Sequence, residues 1–194
     1  LLMSIEIKEV KTKKELRKFV KFNIELYKDN PYHVPNLIDE VMMTLSTDKN
    51  PAFENCEAIY FLAYKNGKIA GRIAGIIVHE SNKIWKQKNV RFGFVDFIDD
   101  EEVVNALFDA VISWAKEKGM TAIHGPMGFT DLDHEGMLTK GFDQTGTMAA
   151  IYNYPYYPKH MERMGFEKDQ DWNEYKIYIP DRIPEKHQRI GNIV

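Results

Sequence analysis

The stretch AIYFLAYKNGKIAGRIAGIIV, residues 58–78, decides the fold. Two runs rich in β-branched and aromatic residues, 58–65 and 68–78, flank Asn66-Gly67, a pair that tolerates the positive φ angles of a type I′ turn. The reading is an antiparallel hairpin. Further on, Val90 to Ile98 places Val90, Phe92, Phe94 and Asp96 on one face and Arg91, Gly93, Val95 and Phe97 on the other. Both faces are largely apolar, so this strand belongs inside a sheet.

Working outward, Asp99-Asp100 caps a long helix in which Val103, Val104, Leu107, Phe108, Val111, Trp114 and Ala115 keep helical spacing until Gly119. Thr121 to His124 then reads as a strand that returns parallel by a right-handed crossover. Upstream, Ile5 to Val10 is a short strand, and Thr12-Lys13-Lys14-Glu15 is a capping box opening a helix that stops at Asn30-Pro31. A second short helix after Pro35 carries Leu37, Ile38, Val41, Met42 and Leu45 on one face. Downstream, Gly125 to Tyr157 is rich in glycine and polar residues and has little periodicity, which in a compact domain marks a functional loop. Pro158 to Met164 is a short helix closed by Gly165-Phe166, Tyr175 to Ile179 a last strand, and Pro180 to Val194 a polar exit segment. The expectation is one mixed-sheet α/β (α+β) domain over residues 5–179, with 180–194 leading into a further domain. Residues 1–4, with Leu1-Leu2 ahead of Met3, read as a remnant outside the domain.

Composition narrows the function. A chain of 194 residues, 44% apolar and 28% charged, can stabilise one core without disulfides or metal. Cys56 is the single cysteine, which fits a reducing compartment, and the flanking Glu54 and Glu57 would raise its thiol pKa and make it a poor nucleophile. The longest apolar run, Ala58 to Tyr64, is seven residues, against about 20 for a membrane-spanning helix. With no signal-peptide pattern either, the cytoplasm is the expected location. A net charge of -3 with acidic and basic residues interspersed disfavours nucleic-acid binding.

The element order resembles the GNAT acyl-CoA N-acyltransferase superfamily. The residues that carry the resemblance are Lys65-Asn66-Gly67-Lys68-Ile69-Ala70-Gly71, the strand-helix pair Val90 to Met120, and Met161-Glu162-Arg163-Met164-Gly165-Phe166-Glu167. A group of bacterial GNAT-like proteins of unassigned chemistry is similar more closely, sharing Gly125-Pro126-Met127, Gly141-Phe142-Asp143 and Tyr152-Asn153; its members are longer. The resemblance implies acyl transfer from acyl-CoA or acetyl-CoA to the amine of a small molecule or amino-lipid, with no metal, and possible packing of the domain on its own C-terminal continuation. The family's pyrophosphate loop is glycine-rich, so that backbone amides at a helix start face the phosphates; here Asp99-Asp100-Glu101-Glu102 stands in that place. Four carboxylates there oppose a phosphate by more than a helix dipole attracts it.

Candidate site residues follow. His124 ends the returning strand just before Gly125-Pro126, where open α/β sheets place ligands, and its ordinary pKa suits a base. Asp96, read as sharing the face of Phe92 and Phe94, would have a raised pKa useful to a base. The family's leaving-group tyrosine falls at Met161, so Tyr157 and His160 are the substitutes. Gly125, Pro126, Met127, Thr130, Tyr152 and Asn153 are the expected substrate contacts. Asp131, Asp133, His134 and Glu135 form an oxygen-rich loop without an established ligand spacing, and Arg72 and Arg91 are candidates to pair with an anion at the sheet. The glycines around Arg72 read as close packing and not as a phosphate motif. An enzyme and a non-catalytic GNAT-like ligand-binding or domain-packing module both fit these features.

Overall fold

The computed structural model describes residues 5–193. The expected remnant at residues 1–4 lies outside them. Strand β1 (Ile5–Glu9) leads through the Thr12 capping box into α1 (Lys13–Leu26), in which the Glu15 amide donates to Thr12 Oγ1 at 3.2 Å and the Thr12 amide to Glu15 Oε2 at 2.9 Å. Then follow α2 (Ile38–Thr44), a 3-10 turn (Pro51–Glu54), β2 (Cys56–Lys65), β3 (Lys68–Val78), α3 (His79–Ile84), β4 (Asn89–Phe97), α4 (Glu101–Glu117), β5 (Ala122–His124), α5 (Tyr156–Arg163) and α6 (Glu185–Gly191). The strands form one sheet in the order β1-β2-β3-β4-β5, antiparallel up to β4 and parallel between β4 and β5. The expected hairpin is β2–β3, turned by Asn66 at φ 53° and Gly67 at φ 75°.

Two cores sandwich the sheet. On one face Ile73, Ile77, Phe92 and Phe97 pack with Val103, Val104, Leu107, Phe108 and Val111 of α4. Each such side chain contributes about 1.5 to 3 kcal/mol. Gly71 and Gly75 let α4 come close, since a Cβ on either would lie 2.7 Å from Leu107 Cδ1 or 3.0 Å from Val111 Cγ1. On the other face Ala74 and Ile76 pack with Leu16, Phe19, Val20, Met42 and Leu45.

Strand β4 departs from the simple alternation. Its pairing with β3 slips between Arg72↔Asp96 and Ala74↔Gly93, and Phe94 adopts φ 44°. This bulge re-aims the side chains beyond it. Asp96 therefore does not share the Phe92 face; it turns to the α1 side, where it meets Arg72, while Phe94 joins the α1–α2 core. Arg72 Nε and Nη2 each lie 2.8 Å from Asp96 Oδ2, and both residues are buried. Arg72 Nη1 also donates to the Phe19 carbonyl at 3.0 Å.

Beyond Arg91↔His124 the parallel pairing ends, although β4 runs on to Phe97. The chain leaves β5 through Gly125 and Pro126 and meets β4 again where the Met127 amide donates to Phe92 O at 2.8 Å. A Cβ on Gly93 would stand 2.1 Å from Met127 O, so glycine is required for this approach. The segment from 125 to 155 has no helix or strand, as expected.

Two expectations fail, the strand at Tyr175 to Ile179 and the start of the helix at Pro158. Tyr175 to Ile179 is not a strand: these residues are exposed and pair with none of the five strands, although β1 and β5 each leave one edge open. The polar segment after Pro180 is exposed through residue 193 and carries the helix Glu185–Gly191. The short helix before Gly165 starts at Tyr156, ahead of Pro158.

Gly93→Ala forces β4 off Met127 and lowers stability by about 3 kcal/mol, whereas Gly67→Ala meets only its positive φ and costs about 1 kcal/mol; urea unfolding measures both. Arg72→Met strands Asp96 as a buried charge and costs about 3 to 5 kcal/mol. The double variant Arg72→Met/Asp96→Leu recovers most of that loss in the same measurement.

Candidate functional site

The site is built around β4. Asp96 takes four donors: Arg72 Nε and Nη2 and Asn23 Nδ2 (3.1 Å) on Oδ2, and the Tyr157 hydroxyl (3.1 Å) on Oδ1. Tyr157 in turn accepts the Tyr27 hydroxyl at 2.8 Å and the Phe97 amide at 3.1 Å. One hydrogen out and two in saturate its oxygen. Burial, and next the charge of Asp96, push the Tyr27 and Tyr157 phenols well above their ordinary range, so both stay protonated. Of the sequence candidates the structure thus brings Asp96 and Tyr157 together, in a sealed and fully bonded network.

Tyr27 carries this network to the surface. Its ring stacks on His33 (centroids 4.4 Å apart) and Tyr154 (4.8 Å) and meets Tyr152 edge-on. Tyr152 accepts from Asn30 Nδ2 at 3.0 Å and donates to Phe142 O at 2.9 Å. Asn153 clamps Leu138 from both sides, taking its amide at 2.7 Å and donating to its carbonyl at 3.1 Å. Tyr152 therefore ties the long loop to the connection after α1, and Asn153 ties the loop to itself. His33 escaped the sequence reading because nothing local distinguishes a histidine in the connection after α1. Burial pulls its pKa down, with Asp96 opposing and Arg72 reinforcing.

His160, on α5, lies 2.7 Å from Asp99 Oδ1 through Nε2 and packs edge-on against Phe97 and Tyr156. His124 stands apart. Its β5 position faces Arg91, and Asp96 lies five residues further along β4, roughly 16 Å away. Its ring has no hydrogen bond among the described residues. Burial, then the charge of Arg91, lower its pKa, with Asp169 opposing, so the imidazole is neutral at pH 7. Arg91 donates to the carbonyls of Gly128 (3.1 Å) and Phe129 (3.4 Å), so neither arginine awaits an anion.

From there Gly125, Pro126 and Met127 cross β4 toward Thr130, which lines an open depression of about 250 Å³ with Met43, Thr44, Lys49, Asn50, Pro51, Phe129 and Asp133. Asp133 Oδ2 accepts the Thr130 amide at 2.9 Å and His134 Nε2 meets Met148 O at 2.9 Å. Among the described residues no three carboxylate, imidazole or thiol groups gather to hold a metal. Cys56 is buried, and burial, not Glu54 or Glu57, is the first reason its thiol pKa rises.

The acidic turn before α4 is not the bare patch that the sequence implies. Lys65 Nζ bonds Asp100 and lies 3.4 Å from Glu102, His160 holds Asp99, and Arg163 lies 3.8 Å from Glu101. Asp100 Oδ1 also accepts the Val103 amide at 3.2 Å. Burial works against its ionisation, yet Lys65 and that amide hold its carboxyl below the usual range. Two cations, Lys65 and Arg163, offset part of the charge of the four carboxylates, and the amide and the cations that would bind a pyrophosphate are already engaged. The head of α4 does not fit one.

No family model matches the chain. It is 33% identical to Protein YghO of Escherichia coli over 82% of the chain and 40% of that protein. It is 30% identical to a bacterial ceramide synthase of Caulobacter vibrioides over 93% of the chain and 47% of that protein. The chain spans less than half the length of these relatives. Among solved structures, a predicted acetyltransferase from Clostridium acetobutylicum with acetyl-CoA superposes with a TM-score of 0.54 at 12% identity, covering 89% of this chain and 96% of that one. The five-strand mixed sheet, its parallel β4–β5 pair and the helices packed on it give this chain the fold of the GNAT acetyltransferases.

Proposed function

We propose that this chain is part of an N-acyltransferase that moves an acyl group from a CoA thioester to the amine of a small molecule or amino-lipid in the cytoplasm. The observation that carries the reading is its 30% identity, over 93% of the chain, with a protein named as a ceramide synthase. A ceramide is an N-acylated amino-lipid, and the GNAT fold of this chain agrees with acyl transfer. No helix among the described residues is long and apolar enough to cross a membrane.

An amine must shed a proton before it attacks a carbonyl. His124 is the base in this reading, because its imidazole is neutral and, among the described residues, unbonded and free of ring stacking, while His79, His134 and His160 are each held by a partner and His33 is stacked on Tyr27. Gly125, Pro126, Met127 and Thr130 lead from it to the depression and form the acceptor path. Asp96 and Tyr157 act as positioning residues that fix β4 against α1 and α5, and His160 secures Asp99. Tyr152 and Asn153 hold the loop that shapes the path. The donor's phosphates bind away from the head of α4.

That same α4 head favours a second reading, in which the domain binds or packs without catalysis. Calorimetric titration with CoA, acetyl-CoA and a long-chain acyl-CoA, followed by an N-acylation assay on a long-chain amino alcohol, separates the two. Micromolar thioester binding with turnover supports the enzyme; absence of both leaves the binding module. For the enzyme, His124→Gln lowers kcat/KM by about 100-fold or more. In the native protein a protonated His124 is inactive, so kcat/KM falls with acidity through a pKa lying below the ordinary histidine value of about 6.5. That acid limb disappears in His124→Gln.

A further inference from the structure

The connection between β3 and β4, residues 79–88, has no role in the site above. Its sequence, HESNKIWKQK, contains Lys83, Lys86 and Lys88 against a single acidic residue, Glu80, in a chain whose net charge is -3. Ile84 and Trp85 stand at its tip, 63% and 73% exposed. The three lysines are exposed, and none has an ion-pair partner among the described residues.

This tip is rigidly presented. Asn82 Nδ2 donates to Asn89 O at 2.9 Å and Asn82 Oδ1 accepts the Asn89 amide at 3.1 Å, so one side chain ties the tip to the start of β4. The Gln87 amide closes on Asn82 O at 2.9 Å and the Trp85 amide on Ser81 O at 3.0 Å. Lys86 takes φ 52° between them, reversing the chain directly after Trp85. The apolar pair is therefore held in water at a cost that a flexible loop would relieve by folding it inward.

We propose that residues 79–88 are a membrane-contact element that seats Ile84 and Trp85 in the interface of an anionic lipid surface, with Lys83, Lys86 and Lys88 on its headgroups. Tryptophan partitions to the boundary between headgroups and acyl chains, and lysines beside it are drawn to anionic lipid. The local excess of positive charge selects this occupant over a neutral apolar surface. The element shares one end of the sheet with the depression near Thr130, because the 3-10 turn containing Pro51 runs directly into Cys56, which pairs with Val78. The inference does not depend on the acyl-transfer reading.

The test is cosedimentation of the whole chain with vesicles of phosphatidylcholine alone and of phosphatidylcholine mixed with phosphatidylglycerol, at low ionic strength. Binding to the mixed vesicles alone is expected, weakening as salt rises. Each lysine neutralised reduces partitioning about fivefold, so Lys83→Gln/Lys86→Gln/Lys88→Gln together reduce it about a hundredfold. Trp85→Ala reduces it about tenfold. The replaced side chains are exposed, and an unchanged unfolding midpoint verifies that both variants are folded. Failure to bind the mixed vesicles, equal binding to neutral ones, or full binding by both variants overturns the proposal; a protein partner would then be the occupant of the tip.

Discussion

The ion pair between Arg72 and Asp96 is the constraint on which the rest of the structure depends. Two charges removed from water are tolerated only when each meets the other and the remaining donors and acceptors are satisfied. Satisfying this pair requires four elements at once. Strand β3 supplies Arg72, β4 supplies Asp96, α1 supplies the Phe19 carbonyl and Asn23, and α5 supplies Tyr157. The pair also sets the bulge at Phe94, since without that extra residue Asp96 would face α4 and its apolar core. Its structural value is thus as a lock on register more than as a source of net stability.

A lock of this kind limits what its members can do chemically. Tyr157 has no lone pair or hydrogen left for a substrate, and Asp96 has no oxygen without a donor. Reactivity requires groups that the fold has not used. At the other end of β4, His124 retains both ring nitrogens, and its low basicity comes from burial and from Arg91, which is itself turned away to the carbonyls of Gly128 and Phe129. Arg91 thus ties the loop at Gly128 and Phe129 to the sheet while adding to the burial that keeps His124 neutral.

What was legible in the sequence was local. The capping box at Thr12, the Asn66-Gly67 turn and the apolar stripe of α4 each depend on residues within a few positions, and all three are as read. The close packing at Gly71 and Gly75 was also readable, because a glycine inside a strand needs a reason. What escaped was non-local. Period-two counting places Asp96 with Phe92, and only the slip between Arg72 and Ala74 separates them. Tyr175 to Ile179 has the pattern of a strand, but a pattern becomes a strand only against a partner. His33 acquires its setting from Tyr27 and Tyr152, residues at the C-terminal cap of α1 and on the long loop.

The acidic turn before α4 shows the same division between local and distant effects. Read alone, Asp99 to Glu102 is a repulsive field at a helix start, and repulsion would be the reason for excluding phosphate. In the folded chain Lys65 arrives from the hairpin and Arg163 from α5, and His160 bonds Asp99, so the field is partly offset. Occupancy then adds to the remaining repulsion: Asp100 already takes the amide and the ammonium that a phosphate would use. The distinction has physical consequences, because repulsion between exposed charges fades with salt whereas a capped amide does not. A domain that blocks its own helix start in this way has the GNAT sheet without the usual means of gripping a nucleotide, and any donor it uses must be held by other groups.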